Sequence, residues 1–306
     1  MAPKKIVVFG ITGVQGGSVA RYLLDDGPEK FEVWGVTRSK TSAKAKALEQ
    51  QGIKLIEGDL DKPESYEAGL AGADNVWVNA DFWLYYDGHN ADVAGAREVA
   101  QNKGVIDAAR RQKVPHITFS ALANFGDKFP VPHCDSKVKI VEYLKDIGQN
   151  HALVYPAWYF TNVLIFPRRR EGDKWIVQWP FPDDKKMTGF APEQVGAFAR
   201  LVFRDPEAWN GKEIHCVCDI GSPLEQAAAI FEHLGVTVEV EHLTRERFFS
   251  PEFKATLPDE LFINYKAILD GIEDPETDTA HALYPGAWYF KDWVANTPAL
   301  ATTFTK

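Results

Sequence analysis

Short apolar runs alternate with longer amphipathic stretches through the first half of the chain. Runs rich in β-branched residues, typical of buried strands, lie at Lys5–Gly10, Phe31–Thr37, Lys54–Glu57, Asn75–Asn79, His116–Ser120 and Ala152–Tyr155. Stretches with a helical spacing of apolar residues separate them, at Ser18–Asp26, Ser42–Gln51, Ser65–Ala71, Asp92–Lys113 and Ser136–Ile147. Strands joined by such helices form right-handed βαβ units. The pattern therefore predicts an α/β fold in which a parallel sheet carries helices on both faces.

The longest stretch, Asp92–Lys113, also predicts which side of its helix is apolar. One side collects the residues Val93, Ala96, Val99, Ala100 and Val105. We expect this side to face the core, because an amphipathic helix buries its apolar stripe.

The pattern changes after Pro156, where prolines and aromatic residues become more frequent and strict alternation ends. Helical spacing returns at Glu193–Phe203, Leu224–Leu234 and Pro258–Asp270. We therefore expect a first domain over residues 1–156 and a smaller mixed α+β portion over 157–306, interleaved with the carboxyl edge of the sheet. Ligands of open α/β sheets bind at that edge.

Composition narrows the classes of partner. The 306 residues carry a formal net charge of -9, which argues against nonspecific binding to nucleic acid or to an anionic membrane. The cysteines are Cys134, Cys216 and Cys218, a spacing that suits neither a disulfide framework nor a metal site, so we expect no metal. Without a recognisable signal peptide or membrane span, we expect a cytoplasmic protein.

A glycine-rich run follows the first strand. It reads Gly10-Ile11-Thr12-Gly13-Val14-Gln15-Gly16 and opens directly into a predicted helix. Gly10 permits a tight turn, Gly13 lets the backbone approach a pyrophosphate, and Gly16 allows close helix–strand packing. The helix N-terminus supplies free N–H groups to phosphates. This context predicts a Rossmann-type dinucleotide site, the alternative being a plain structural turn.

The end of the second strand indicates which dinucleotide is bound. NAD-selective sites place a carboxylate there for the ribose 2′-hydroxyl, whereas this chain has Arg38, Lys40 and Lys44. A guanidinium pairs with a 2′-phosphate, so the cluster favours NADP(H) over a merely solvated basic face. The ends of the next two strands complete the expected cofactor site: Gly58, Asp59 and Leu60 beside the adenine, and Asn79, Ala80 and Asp81 near the riboses.

These motifs together resemble the NmrA-like family, in particular its HSCARG-like branch of atypical short-chain dehydrogenases/reductases. The likeness rests on the run from Val8 to Arg21, Thr37-Arg38, Gly58-Asp59, the segment Val141–Gly148 and Tyr159-Phe160-Thr161-Asn162. It covers about the first 200 residues. The resemblance implies NADP(H) binding with Arg38 setting specificity, and places Lys137 on the cofactor ribose and Pro156 and Phe160 beside the nicotinamide. Some members reduce small molecules, and others sense NADP(H) and regulate transcription partners.

Catalytic residues are harder to assign, because ordinary short-chain dehydrogenases use a Ser with a YxxxK pair. Ser120 ends the fifth strand and Lys137 opens the next helix, but His133 replaces the tyrosine. Two interpretations stay open. Lys137, alone or with His133 or Ser120, donates a proton, or Lys137 only binds cofactor. The alternatives for the side chains are an exposed loop position for His133 and a solvated helix position for Lys137.

Aromatic residues follow two strands at the predicted ligand edge. Phe82 and Trp83 follow the fourth strand, and Trp158 and Tyr159 follow the sixth. Aromatic concavities suit small organic ligands, although core packing would also explain these residues.

We therefore predict an NADPH-dependent oxidoreductase acting on a small hydrophobic or aromatic carbonyl or imine compound. The alternative is a noncatalytic NADP(H) redox sensor that engages a regulatory protein, for which the nucleus becomes a second location. The sequence leaves the oligomeric state open, and a homodimer is one of the assemblies compatible with it.

Overall fold

The fold was obtained as a computed structural model, which describes residues 2–271 and 277–304. Its strands are β1 Lys4–Val8, β2 Phe31–Thr37, β3 Lys54–Glu57, β4 Asn75–Val78, β5 Ile117–Ser120, β6 His151–Pro156, β7 Trp158–Tyr159, β8 Arg168–Glu171, β9 Lys174–Val177, β10 Met187–Phe190, β11 Glu213–Cys216, β12 Asp219–Gly221 and β13 Thr237–Val240. Its helices are α1 Val14–Asp25, α2 Ala43–Gln50, α3 Ala91–Arg111, α4 Pro132–Asp146, α5 Val195–Arg204, α6 Pro206–Trp209, α7 Pro223–Leu234, α8 Arg245–Phe248, α9 Pro251–Lys254, α10 Asp259–Gly271, α11 Asp278–Leu283, α12 Phe290–Asn296 and α13 Pro298–Phe304.

The chain forms two compact units, and each unit is built from three separate segments of the sequence. The first comprises residues 1–124, 132–155 and 193–214, and the second comprises 125–131, 156–192 and 215–306. The segment 193–214 belongs to the first unit because α5 packs on α1, where the Gly196 amide donates to the Ser18 hydroxyl at 3.0 Å. The division at residue 156 into cofactor and substrate portions stays a prediction about function.

A seven-stranded sheet forms the centre of the first unit, in the order β11-β6-β5-β4-β1-β2-β3. Strands β1 to β6 pair in parallel, as the alternation of strands and helices predicts. The chain runs outward from β1 to β3 and then returns to the other side of β1 at β4. The carboxyl ends of β1 and β4 therefore border the topological switch point, where open α/β sheets bind ligands.

The second unit is built from small mixed sheets and short helices. One sheet has the order β12-β10-β7 and another β13-β9-β8. Large aromatic side chains fill its core, among them Phe160, Trp179, Phe181, Phe248, Phe290 and Trp293. Helix α7 begins at a capping box between Ser222 and Glu225 and ends at Gly235 in the left-handed conformation.

Two local predictions are wrong. The helix expected at Ser65–Ala71 is a pair of 3-10 turns, Pro63–Ser65 and Glu67–Leu70, because Pro63 starts the first turn before the segment and Gly69 weakens helix formation within it. The apolar side expected for α3 is also misplaced, since Val93 is 65% exposed. Val105 is buried as expected, but the buried side of α3 otherwise combines Ile106 and small residues with three polar ones, Glu98, Gln101 and Asn102.

No helix within residues 2–271 and 277–304 is long and apolar enough to cross a membrane.

Candidate functional site

The glycine-rich turn joins β1 to α1 in the first unit. Gly10 has φ +67°, a left-handed conformation that favours glycine, and its carbonyl accepts from the Gly13 amide at 2.9 Å. A Cβ at Gly16 would lie 2.3 Å from the Gly10 oxygen, so only glycine lets α1 approach the turn this closely. The roles predicted for Gly10 and Gly16 in shaping the turn agree with this geometry.

The first turn of α1 has the features of an anion site. Its N-cap residue is Gly13, which supplies no side-chain hydrogen bond, and the first turn holds no acidic residue. The leading N–H groups of a helix have no intrahelical acceptor and carry a partial positive charge. Thr12 and Val14 are exposed beside them, while Gln15 is half-buried. The turn therefore offers N–H donors to an anionic ligand.

The cations after β2 lie on the surface of the same unit. Arg38, Lys40 and Lys44 are all exposed. In the described ranges, none of the three side chains forms a hydrogen bond or ion pair. Helix α2 starts just beyond them, with Ser42 accepting from the Ala45 amide at 3.2 Å. This short segment thus presents unneutralised positive charge.

The loop after β3 is held by its own hydrogen bonds. Gly58 is buried, and a Cβ there would lie 2.7 Å from Cβ of Tyr66. The Asp59 carboxylate accepts from the Asp61 amide at 3.1 Å, and the Asp59 amide donates to the Ser65 hydroxyl at 2.9 Å. Leu60 is half-buried. The adenine-side role of Gly58, Asp59 and Leu60 stays a prediction.

Lys137 is a buried cation of the first unit. It lies on α4, is 5% exposed, and donates from Nζ to Asn79 Oδ1 at 3.0 Å and to the Ala80 carbonyl at 3.3 Å. Asn79 also donates through Nδ2 to Gln15 Oε1 at 3.4 Å. This contact links the residue after β4 to the glycine-rich turn. The alternative of a solvated helix lysine is wrong.

A buried carboxylate that sequence reasoning missed lies beside Lys137. Glu98 on α3 is 1% exposed, and its Oε1 lies 3.1 Å from Lys137 Nζ. The Ser136 hydroxyl donates to the other oxygen, Oε2. The sequence signal for it is the mixture of small and polar residues along α3, which an apolar stripe does not describe.

His133 lies one turn before Lys137 in a cluster of aromatic rings. Pro132 starts α4, a position suited to proline, so His133 belongs to the helix and is 8% exposed. Its ring centre lies 5.0 Å from that of Trp83 and 5.9 Å from that of Phe82. The alternative of an exposed loop histidine is wrong.

The loop that carries these aromatic rings is tied down at several points. The Asp81 carboxylate accepts from the Trp83 amide at 3.0 Å. Arg97 on α3 lies 3.8 Å from the centre of the Tyr85 ring, and Gln101 donates to the Tyr85 hydroxyl at 3.0 Å. Phe82 is buried, whereas Trp83 is 43% exposed. The loop therefore exposes part of the Trp83 ring, while its other contacts hold the loop in place.

Ser120 does not join this network. It is 2% exposed at the end of β5, and within residues 2–271 and 277–304 its hydroxyl forms no hydrogen bond with His133 or Lys137. Its catalytic role stays a prediction.

The predicted residues after β6 belong to the second unit. Trp158 packs on Phe181, with ring centres 5.4 Å apart, and Tyr159 on Phe190 at 5.3 Å. Phe160 is 2% exposed and packs on Phe290 at 5.3 Å, while Pro156 is also buried. Core packing thus accounts for the Phe160 ring. The ligand roles predicted for these four residues stay predictions.

Sequence comparison finds related proteins over most of the chain. A Dictyostelium discoideum NmrA-like family domain-containing protein is 28% identical over 236 residues, which cover 72% of this chain and 74% of that protein. The NmrA-like family domain-containing oxidoreductase FrzB of a Cladobotryum species is 28% identical over 254 residues, covering 75% and 73% respectively.

Solved structures share the fold at lower identity. NmrA, a negative transcriptional regulator crystallised with NADP, superposes with TM-score 0.74 at 20% identity, covering 96% of this chain and 95% of its own. The Escherichia coli NADPH-dependent quinone oxidoreductase QOR2, complexed with NADPH, superposes with TM-score 0.73 at 21% identity, covering 95% and 99%. The sequence profile described as the NmrA-like family matches residues 2–294. The chain belongs to the NmrA-like family.

Proposed function

We propose that this chain is an NADPH-dependent oxidoreductase that reduces a small hydrophobic or aromatic carbonyl or imine compound. One observation carries the proposal: the buried Lys137 ammonium is hydrogen-bonded to Asn79, and Asn79 in turn to Gln15 of the glycine-rich turn. A proton-bearing group is thereby connected to the segment that fits a dinucleotide.

The residues of the first unit fit NADPH. The close approach at Gly16 and the uncapped start of α1 suit a pyrophosphate. Arg38, with Lys40 and Lys44 beside it, would hold the 2′-phosphate through unpaired positive charge. Lys137 and Asn79 would hold the nicotinamide ribose. NADPH bound there would supply the hydride for the reduction.

The matching proton must come from the chain. Lys137 holds protons at Nζ, and the His133 imidazole is the other candidate donor. We assign the transfer to Lys137, with the proton moving from Nζ to the carbonyl oxygen or imine nitrogen. Phe82, Trp83 and His133 would form an aromatic wall for the substrate. The substrate roles of Trp158 and Tyr159 stay predictions from the sequence.

The relatives support an oxidoreductase, because FrzB and QOR2 both carry that description. A second candidate, an NADP(H) redox sensor bound to a regulatory protein, is favoured by His133 at the position where short-chain dehydrogenases have tyrosine. NmrA, which shares the fold, is described as a negative transcriptional regulator.

A panel of aromatic aldehydes, quinones and cyclic imines, incubated with the protein and NADPH, separates these functions. We expect substrate-dependent loss of absorbance at 340 nm that disappears in Lys137→Ala. If no panel member is reduced and NADPH binds far more tightly than NADP+, the sensor is the better description.

A further inference from the structure

The position of Glu98 defines a role that neither the motifs nor the comparisons assign. We infer that Glu98 is a positioning residue, which fixes the Lys137 ammonium after β4 so that one N–H remains available to an oxygen of a bound ligand. The inference rests on the proposed function, because the proposed function places Lys137 in the cofactor site.

Burial makes the pair interdependent. Glu98 and Lys137 are 1% and 5% exposed, and an isolated charge at such depth is strongly unfavourable. Each supplies the other's countercharge at 3.1 Å. Ser136, next to Lys137 on α4, holds Oε2 of the carboxylate and lies 3.1 Å from the His133 carbonyl. Helices α3 and α4 therefore set the carboxylate before any ligand arrives.

The hydrogen bonds of the Lys137 ammonium account for two of its donors. An ammonium has three N–H groups, of which two point to Asn79 Oδ1 and the Ala80 carbonyl. Glu98 Oε1 lies 3.1 Å from Nζ at ion-pair distance, and within residues 2–271 and 277–304 this oxygen has no hydrogen-bond partner. Glu98 thus balances the charge of Lys137 without consuming its third donor.

A purely structural role explains this arrangement poorly. Buried ion pairs contribute little to stability compared with apolar residues of similar volume. The pair lies where the Asn79 side chain joins Lys137 to Gln15, at the carboxyl end of β4. A ribose hydroxyl or a carbonyl oxygen is the ligand group that the remaining N–H can hold.

The test combines Glu98→Gln and Lys137→Ala, singly and together, with calorimetric titration of NADPH and thermal unfolding. Glu98→Gln should weaken NADPH binding about tenfold, within the range of coupling between contacting residues. It should have no further effect on binding in the Lys137→Ala background. In unfolding, Lys137→Ala should melt below the double variant, because the single variant leaves a buried carboxylate unpaired.

Glu142→Gln, an exposed position on α4, is the matched control and should bind like the unmodified chain. If Glu98→Gln does not fold, Glu98→Asp is the second variant. It keeps the carboxylate but shortens the side chain by one methylene, so its NADPH affinity should lie between those of the unmodified chain and Lys137→Ala. Unchanged affinity in these Glu98 variants, or an equal loss with and without Lys137, overturns the inference alone. Failure of the unmodified chain to bind NADPH overturns the proposed function, and this inference with it.

Discussion

Two regions of the first unit carry positive charge in opposite ways. After β2, Arg38, Lys40 and Lys44 are exposed and have no partner in the part of the chain that the structure describes. Around Lys137 the charge is buried and shared among Glu98, Asn79 and the Ala80 carbonyl. One region presents charge to a ligand, whereas the other arranges it in advance.

The difference separates recognition from positioning. Exposed charges attract a phosphate at little cost to the fold and are weakened by salt. Buried charges hold a fixed geometry, but removing one leaves its partner uncompensated. Substitutions after β2 should therefore change binding alone, whereas substitutions at the Lys137 cluster should change binding, turnover and stability together.

The largest effect is expected for Lys137→Ala. Loss of the proposed proton donor should lower turnover by about 100- to 1000-fold, the range for general acid catalysis. Loss of the buried cation should also lower the free energy of unfolding by about 3 kcal/mol. Steady-state kinetics and thermal unfolding measure the two effects.

Lys139→Ala, an exposed position on the same helix, is the control and should leave both properties unchanged. Normal turnover in Lys137→Ala would remove Lys137 from the chemistry and leave His133 as the remaining donor.

Gly16→Ala should be next in size. Its Cβ would lie 2.3 Å from the Gly10 oxygen, and the rearrangement should cost about 1–3 kcal/mol of stability as overpacking does. NADPH affinity should fall as well, because the start of α1 shifts.

Gly17→Ala is the matched control, since its Cβ would meet only the Ile11 oxygen at 3.5 Å, an ordinary contact. Equal stability of the two alanine variants would show that close approach at Gly16 is unimportant.

The same contrast explains what the sequence could predict. The turn from Gly10 to Gly16 was predictable because a glycine pattern follows a strand. The position of Arg38 was predictable because it follows the end of the next strand. Glu98 was not. Glu98 lies on a different helix from Lys137 and precedes it by 39 residues in the sequence. Polar residues on the buried side of α3 also removed the apolar stripe from which helix orientation is read.

Arg38→Asp should change cofactor choice without changing the fold. Replacing an unpaired guanidinium by a carboxylate next to the 2′-phosphate should weaken NADPH binding by about 10- to 100-fold, typical of charge-assisted contacts. NADH affinity should change by much less. Parallel titrations with the two nucleotides measure the ratio, and an equal loss for both would assign Arg38 to a different role.

Trp83→Ala should have the smallest effect on the protein itself. The ring is 43% exposed, so we expect the free energy of unfolding to change by less than about 1 kcal/mol. If the ring lines the substrate site, KM for aromatic substrates should rise while NADPH affinity stays constant. An unchanged KM would leave Trp83 as part of the packing around His133.

The unpaired positive charge after β2 is the feature on which the proposed preference for NADPH depends. Titration calorimetry of the unmodified chain with NADPH and with NADH, at low and at moderate salt, tests it. We expect NADPH to bind at least about tenfold more tightly at low salt, with the gap narrowing as salt screens the exposed cations. Equal affinities, or tighter binding of NADH, would contradict a role for Arg38, Lys40 and Lys44 in selecting NADPH.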